Sequence, residues 1–138
     1  MSITLHSSFH RIMIIDDNQI DKFIIKHVVS KNKFSDIILE YDSANKALEY
    51  LTENQSSLFM LPQIIFIDIN MPGMSGFEFM KAYDKLSYIL KNTCKVFITS
   101  STGVSETELS KLDDRNIVSF LNKPVTQSDL EVIQNIVY

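Results

Sequence analysis

Ile64-Ile65-Phe66-Ile67-Asp68-Ile69-Asn70-Met71-Pro72-Gly73-Met74-Ser75-Gly76 is the stretch on which the reading of this chain turns. Four consecutive apolar residues run into one carboxylate. A short β-branched and aromatic run of this kind predicts a strand buried on both faces, as in a parallel sheet. Asp68 ends it, and in open α/β sheets ligand chemistry gathers at the carboxyl ends of the strands. Pro72, Gly73 and Gly76 then build a rigid loop instead of continuing the strand. An isolated Asp after a strand ordinarily starts a turn, so a second acidic strand end decides how Asp68 is read.

That second end is Asp16-Asp17, after Arg11-Ile12-Met13-Ile14-Ile15. Adjacent carboxylates repel each other unless a cation or a proton settles them. Asn18, with Asp21 three residues on, has the look of a helix cap, which leaves Asp16 and Asp17 free for other work. If the first and third strands are neighbours, Asp16, Asp17 and Asp68 converge in one pocket. Three carboxylates suit a hard, oxygen-seeking cation, Mg²⁺ above all.

Four motifs now stand in order: Ile14-Ile15-Asp16-Asp17-Asn18, Asp68 to Gly76, Phe97-Ile98-Thr99-Ser100, and Phe120-Leu121-Asn122-Lys123-Pro124. In that order and spacing the chain resembles a response-regulator receiver domain, the phosphorylatable module of two-component signalling. The resemblance covers residues 10 to 137. It implies an α/β fold of flavodoxin-like type, a three-layer sandwich whose five-stranded parallel sheet has the order 2-1-3-4-5 and is flanked by five helices. The alternation of strand and helix patterns along the chain independently implies a parallel sheet covered on both faces.

The periodicities place the elements. Residues 1 to 9 are expected as a flexible tail and 10 to 138 as the receiver domain, with no output domain. Strands are predicted at 11–15, 36–41, 64–67, 95–98 and 117–121. A helix from Asn18 to Ser30 is expected to turn Ile20, Phe23, Ile24 and Val28 inward, with His27 at the surface. A second helix, capped by Ser43, turns in Ala44, Ala47, Leu48 and Leu51. A long helix from Gly76 carries the stripe Phe79, Met80, Tyr83, Leu86 and Leu90. A short fourth helix opens on the capping box Ser105 and Glu108 and offers only Leu109 and Leu112 to the core, which marks it as mobile. The last helix, capped by Thr126 or Ser128, turns in Leu130, Ile133, Ile136 and Val137.

At 138 residues the chain makes one domain with a real core. A net charge of −4 leaves no basic footprint for nucleic acid. No apolar run has transmembrane length and no secretory signal opens the chain. The single Cys94 fits a reducing cytoplasm and is expected to pack as a small apolar residue.

By the resemblance, Asp68 is the phosphoacceptor, forming an aspartyl phosphate. Asp17 and Asp68 ligate Mg²⁺ through carboxylates and Asn70 through its backbone carbonyl, and Asp16 holds a metal-bound water. Lys123 is the opposing cation, and Thr99 supplies a hydroxyl to a phosphoryl oxygen. Thr99 and Phe120 form the switch, with Phe in place of the frequent Tyr. Ser101 and Asn70 line the water route, and Pro124 is a candidate cis-proline. The donor is a phosphohistidine on a sensor histidine kinase or phosphotransfer protein. The output is an interaction with an unnamed downstream protein or with a second copy of the chain. Catalysis is confined to the chain's own phosphorylation and dephosphorylation.

Rival readings meet specific residues. A phosphohydrolase with an Asp nucleophile would want a second Asp two residues on, where Asn70 stands. A flavin protein would want a Ser/Thr/Gly phosphate loop where Asp16-Asp17 stands. A degenerate receiver serving as a phosphorylation-independent docking module is the remaining alternative. Its usual signature is loss of a phosphorylation residue, and none is lost here.

Overall fold

The computed structural model describes residues 8–103, 105, 107, 110 and 115–137. Five strands are present: β1 Phe9–Ile15, β2 Ser35–Tyr41, β3 Ile64–Asp68, β4 Lys95–Ser100 and β5 Ile117–Asn122. All their pairings are parallel, in the order β2-β1-β3-β4-β5. Five helices have both ends among the described residues: α1 Gln19–Lys31, α2 Ala44–Glu53, α3 Gly76–Tyr83, α4 Tyr88–Thr93 and α5 Gln127–Val137. The fold is the expected α/β sandwich.

Its two cores lie on opposite faces of the sheet, and the strand alternation sorts side chains between them. Ile12 and Ile14 of β1, Ile64 and Phe66 of β3 and Phe97 of β4 meet Ile25, Val29, Leu130 and Ile133 of α1 and α5. Met13 and Ile15, Ile65 and Ile67, and Val96 and Ile98 meet α2, α3 and α4 through Ala47, Leu51, Phe79, Met80, Tyr83 and Leu90. Every residue of β3 is buried, which is why its sequence lacks polar alternation. Truncating a side chain such as Phe66 would cost about 3–5 kcal/mol.

Four local expectations are corrected. β1 begins at Phe9, two residues early, because that ring is buried against Phe34 at 4.8 Å; residues 1–7 of the expected tail lie outside the described residues. Helix α1 buries Ile25 and Val29, not Ile20 and Phe23, which are 71% and 68% exposed. Its six apolar residues cover more than one face, so spacing alone admits two orientations. Lys22 lies on the buried side, its ammonium paired with Asp42 of the β2–α2 loop. The long third helix is broken at residues 84–87. Ser87 caps α4 by accepting from the Leu90 amide at 3.2 Å, and its own amide donates to Gln55 Oε1 at 2.7 Å. Leu90 stays in the core across the break. In α5, Ile136 is exposed, although Leu130 and Ile133 are buried as expected.

Thr126 caps α5, its hydroxyl accepting from the Asp129 amide while the Asp129 carboxylate accepts from the Thr126 amide. Cys94 is buried and its thiol is pushed up to about 12 by desolvation, so it packs as an apolar group. Of the expected fourth helix, Thr107 and Ser110 are helical, and Leu109 and Leu112 lie outside the described residues. Among the described residues no helix is long and apolar enough to cross a membrane.

Candidate functional site

The first and third strands are neighbours, and Ile15 pairs with Ile67, so Asp16 and Asp68 leave the sheet side by side. The same turn is made at both ends. Asp16 Oδ1 accepts from the Asn18 amide at 2.9 Å, and Asp68 Oδ1 accepts from the Asn70 amide at 3.3 Å. Each carboxylate is thereby aimed by its own chain two residues on. Asn18 then caps α1, accepting from the Asp21 amide at 3.0 Å.

Asp68 is in register with Thr99 of β4, and Ser100 with Asn122 of β5, which delivers Lys123 to the same edge. The Lys123 amide donates to the Ser100 carbonyl at 2.9 Å, and the Lys123–Pro124 peptide is cis. The ammonium stands 2.7 Å from Asp16 Oδ2, 2.9 Å from Asp21 Oδ2 and 3.4 Å from Asp68 Oδ2. Asp16, Asp68, Thr99 and the Lys123 side chain are buried, while Asp17 and Asn70 are exposed. Phe120 is half-buried in register with Ile98 and packs against the core cluster on the same face of the sheet as Ile98. Ser101 is exposed; its buried neighbour Ser100 shapes the loop, donating to the Gly103 carbonyl at 3.0 Å and accepting from the Thr102 amide.

The electrostatics follow from this crowding. Burial lifts the Asp68 carboxyl above the usual carboxylate range; the Lys123 charge and the Asn70 amide pull it back, and Asp16 pushes it up. Burial alone would lower Lys123, but hydrogen bonds to Asp16 and Asp21 outweigh it and hold the ammonium above its ordinary value. Three carboxylates, Asp16, Asp21 and Asp68, thus share one ammonium, and Asp17 adds a fourth negative charge to the cluster. Ligand oxygens of Asp16, Asp17 and Asp68 lie within 4.8 Å of one another. An all-oxygen set with surplus negative charge fits Mg²⁺ by donor chemistry.

One member was not foreseen from sequence. Asp21 was read only through its backbone, as the residue capped by Asn18. Its carboxylate takes a lysine 102 positions away, a pairing no local pattern reveals. An acid in the first turn of a helix that starts at two carboxylates is the one signal that could have found it.

The model of the "Response regulator receiver domain" family matches residues 12–134. The two-component response regulator ORR6 of Oryza sativa subsp. japonica is 30% identical over 121 residues, covering 86% of this chain and 65% of that protein. ORR1 of the same plant is 24% identical over 127 residues, covering 91% of this chain and 54% of that protein. The chain therefore spans about half to two thirds of the length of these relatives. The crystal structure of a two-component response regulator from Cytophaga hutchinsonii superposes with a TM-score of 0.83 at 27% identity, covering 94% of this chain and 96% of that one.

Proposed function

The chain belongs to the response regulator receiver domain family, and from that membership we propose that it takes a phosphoryl group onto Asp68 from a phosphohistidine donor and passes the signal to a protein partner. The observation that carries this reading is the Lys123 ammonium 3.4 Å from the buried Asp68 carboxylate, beside two further carboxylates.

In this reading the ionised Asp68 oxygen bonds to phosphorus as the bond from phosphorus to the donor's imidazole nitrogen breaks, and that electron pair stays on the imidazole. Lys123 offers its charge to the phosphoryl oxygens, and Thr99 donates its hydroxyl to one of them. Asp16, Asp17, Asp68 and the Asn70 carbonyl would hold Mg²⁺, which when bound neutralises charge on the transferred group. The donor is a sensor histidine kinase or phosphotransfer protein, and the setting is the cytoplasm. No turnover of an external substrate belongs to this reading.

Incubated with a small phosphodonor and Mg²⁺, the protein is expected to gain one hydroxylamine-labile phosphoryl group. Mg²⁺ is expected to raise its melting temperature by mass action on the folded state. Asp17→Asn should blunt that rise and slow labelling, seen by intact-mass spectrometry and thermal melts. Undiminished Mg²⁺ stabilisation and normal labelling of Asp17→Asn would rule out the site.

The output follows from the new charge, roughly −1.5 to −2 on phosphorylation. Thr99 turns to the phosphoryl group, and Phe120 on the adjoining strand moves into the space that Thr99 leaves. A partner, or a second copy, then recognises the altered surface because it binds that state more tightly. Amide NMR with and without beryllofluoride tests this. Wild-type shifts should reach β5 and α5, and Thr99→Ala should confine them to the pocket. A full wild-type pattern in Thr99→Ala would sink the switch.

A further inference from the structure

Lys123 is held by three carboxylates, and they are not equivalent. Asp16 and Asp68, at 2.7 and 3.4 Å, belong to the oxygen cluster that suits a divalent cation. Asp21, at 2.9 Å, stands on the first turn of α1 outside that cluster. The lysine backbone is held by the hydrogen bond that its amide donates to the Ser100 carbonyl, so a change of partner needs only its flexible four-carbon stem to swing.

A cation entering among Asp16, Asp17 and Asp68 competes for two carboxylates that Lys123 now holds, Asp16 and Asp68, and repels the ammonium. The ammonium cannot leave for water cheaply, because its side chain is 8% exposed. Asp21 is the acceptor that remains. A cleft lined by Asp21, Ile24, Ile25, Lys123, Pro124 and Val125 adjoins the pair, with space of about 10 Å³, roughly room for one water. The ammonium can therefore shift toward α1 without displacing a core side chain.

We propose that Asp21 is a positioning residue: it receives Lys123 when a divalent cation occupies Asp16, Asp17 and Asp68, and so raises the affinity of that site for the cation. This rests on the reading of those three carboxylates as the Mg²⁺ site. The coupling is reciprocal, so the cation in turn tightens the Asp21–Lys123 pair. It also ties the first turn of α1 to the state of the pocket.

Mg²⁺ affinity, measured by calorimetric titration on the full chain, tests the proposal. Asp21→Asn should weaken Mg²⁺ binding about fivefold, the low end of ordinary coupling between sites. Asp21→Glu should restore it to within about twofold. In a Lys123→Met background, Asp21→Asn should change the affinity by less than about twofold. Equal weakening in both backgrounds would show a mere loss of negative field and overturn the proposal. Unchanged affinity in Asp21→Asn would overturn it too, while leaving the metal site standing. Absence of Mg²⁺ binding by the wild type would remove both. A check without variants is the Asp21 carboxylate ¹³C resonance, which should move as Mg²⁺ is added; a resonance that stays put overturns the proposal.

Discussion

Asp68→Asn is expected to take up no hydroxylamine-labile phosphoryl group and, without Mg²⁺, to melt at a higher temperature than the wild type at neutral pH. Loss of label follows because the amide cannot replace the carboxylate as nucleophile. The gain in stability follows from the environment. Burial holds the Asp68 carboxyl above its ordinary range, so the folded protein binds this proton more tightly than the unfolded chain does. Stability then falls as pH rises from the unfolded value, about 3.9, through the folded one, because the native state must carry an unfavourable charge. The Asn protein lacks this loss. Its advantage should be full above the folded value and vanish toward pH about 4. Lys123 keeps Asp16 and Asp21 in the variant, so it is not orphaned. Thermal melts across that range, with mass spectrometry after phosphodonor treatment, decide the matter. Equal labelling of Asp68→Asn would end the assignment of Asp68 as sole acceptor.

Gly76→Ala is expected to damage fold and site together. Gly76 opens α3, and its amide donates to the Ile69 carbonyl at 3.0 Å. A methyl group there would lie 2.9 Å from Ile69 Cα and 3.2 Å from the Asp68 carbonyl oxygen. Both are backbone atoms, so no side chain can swing away and the Asp68 loop itself must shift. Overpacking of this kind costs about 1–3 kcal/mol, and each kcal/mol lowers the melting temperature by about 4 °C at this size. Labelling of Asp68 should slow as well, because positioning tolerates little displacement. Gly73→Ala is the control. Gly73 has φ 82° and open space where a Cβ would go, so it carries conformational strain without a clash. A Gly76→Ala protein that melts and labels like wild type would show the loop to be compliant.

These predictions draw on features of unequal visibility in the sequence. β3 was legible because both its faces are buried, so apolar residues run unbroken into Asp68. The edge strands β2 and β5, half-buried along most of their length, carry a weaker pattern but sit where they were expected. The alternation of elements indicated a parallel sheet; its strand order and the roles of Thr99 and Lys123 came through the resemblance. The orientation of helix α1 was not legible because apolar residues spread around it; Ile25 and Val29 meet the core, with Lys22 beside them paired to Asp42. The break between α3 and α4 was hidden by a stripe that keeps helical spacing across it. Only Ser87, a capping residue followed by Leu90, marked the new start. Asp21 was invisible as a site residue because its meaning depends on a lysine brought to it by the closing strand.

The two borders of the sheet differ in a way that bears on how the protein would fail when heated. β2 offers exposed Asp36 and Glu40 at its outer border, with Glu40 paired to Lys26 at 3.0 Å. Charges there discourage a foreign strand from docking. β5, Ile117-Val118-Ser119-Phe120-Leu121-Asn122, carries no charged residue, and Val118 is exposed. Six residues that include Ile117, Val118, Phe120 and Leu121, with no proline and no charge, make a template for fibrous self-association. Once thermal loosening uncovers this border, aggregation should nucleate along β5 rather than β2. A gatekeeping lysine at position 118 is the natural remedy for a storage-stable form.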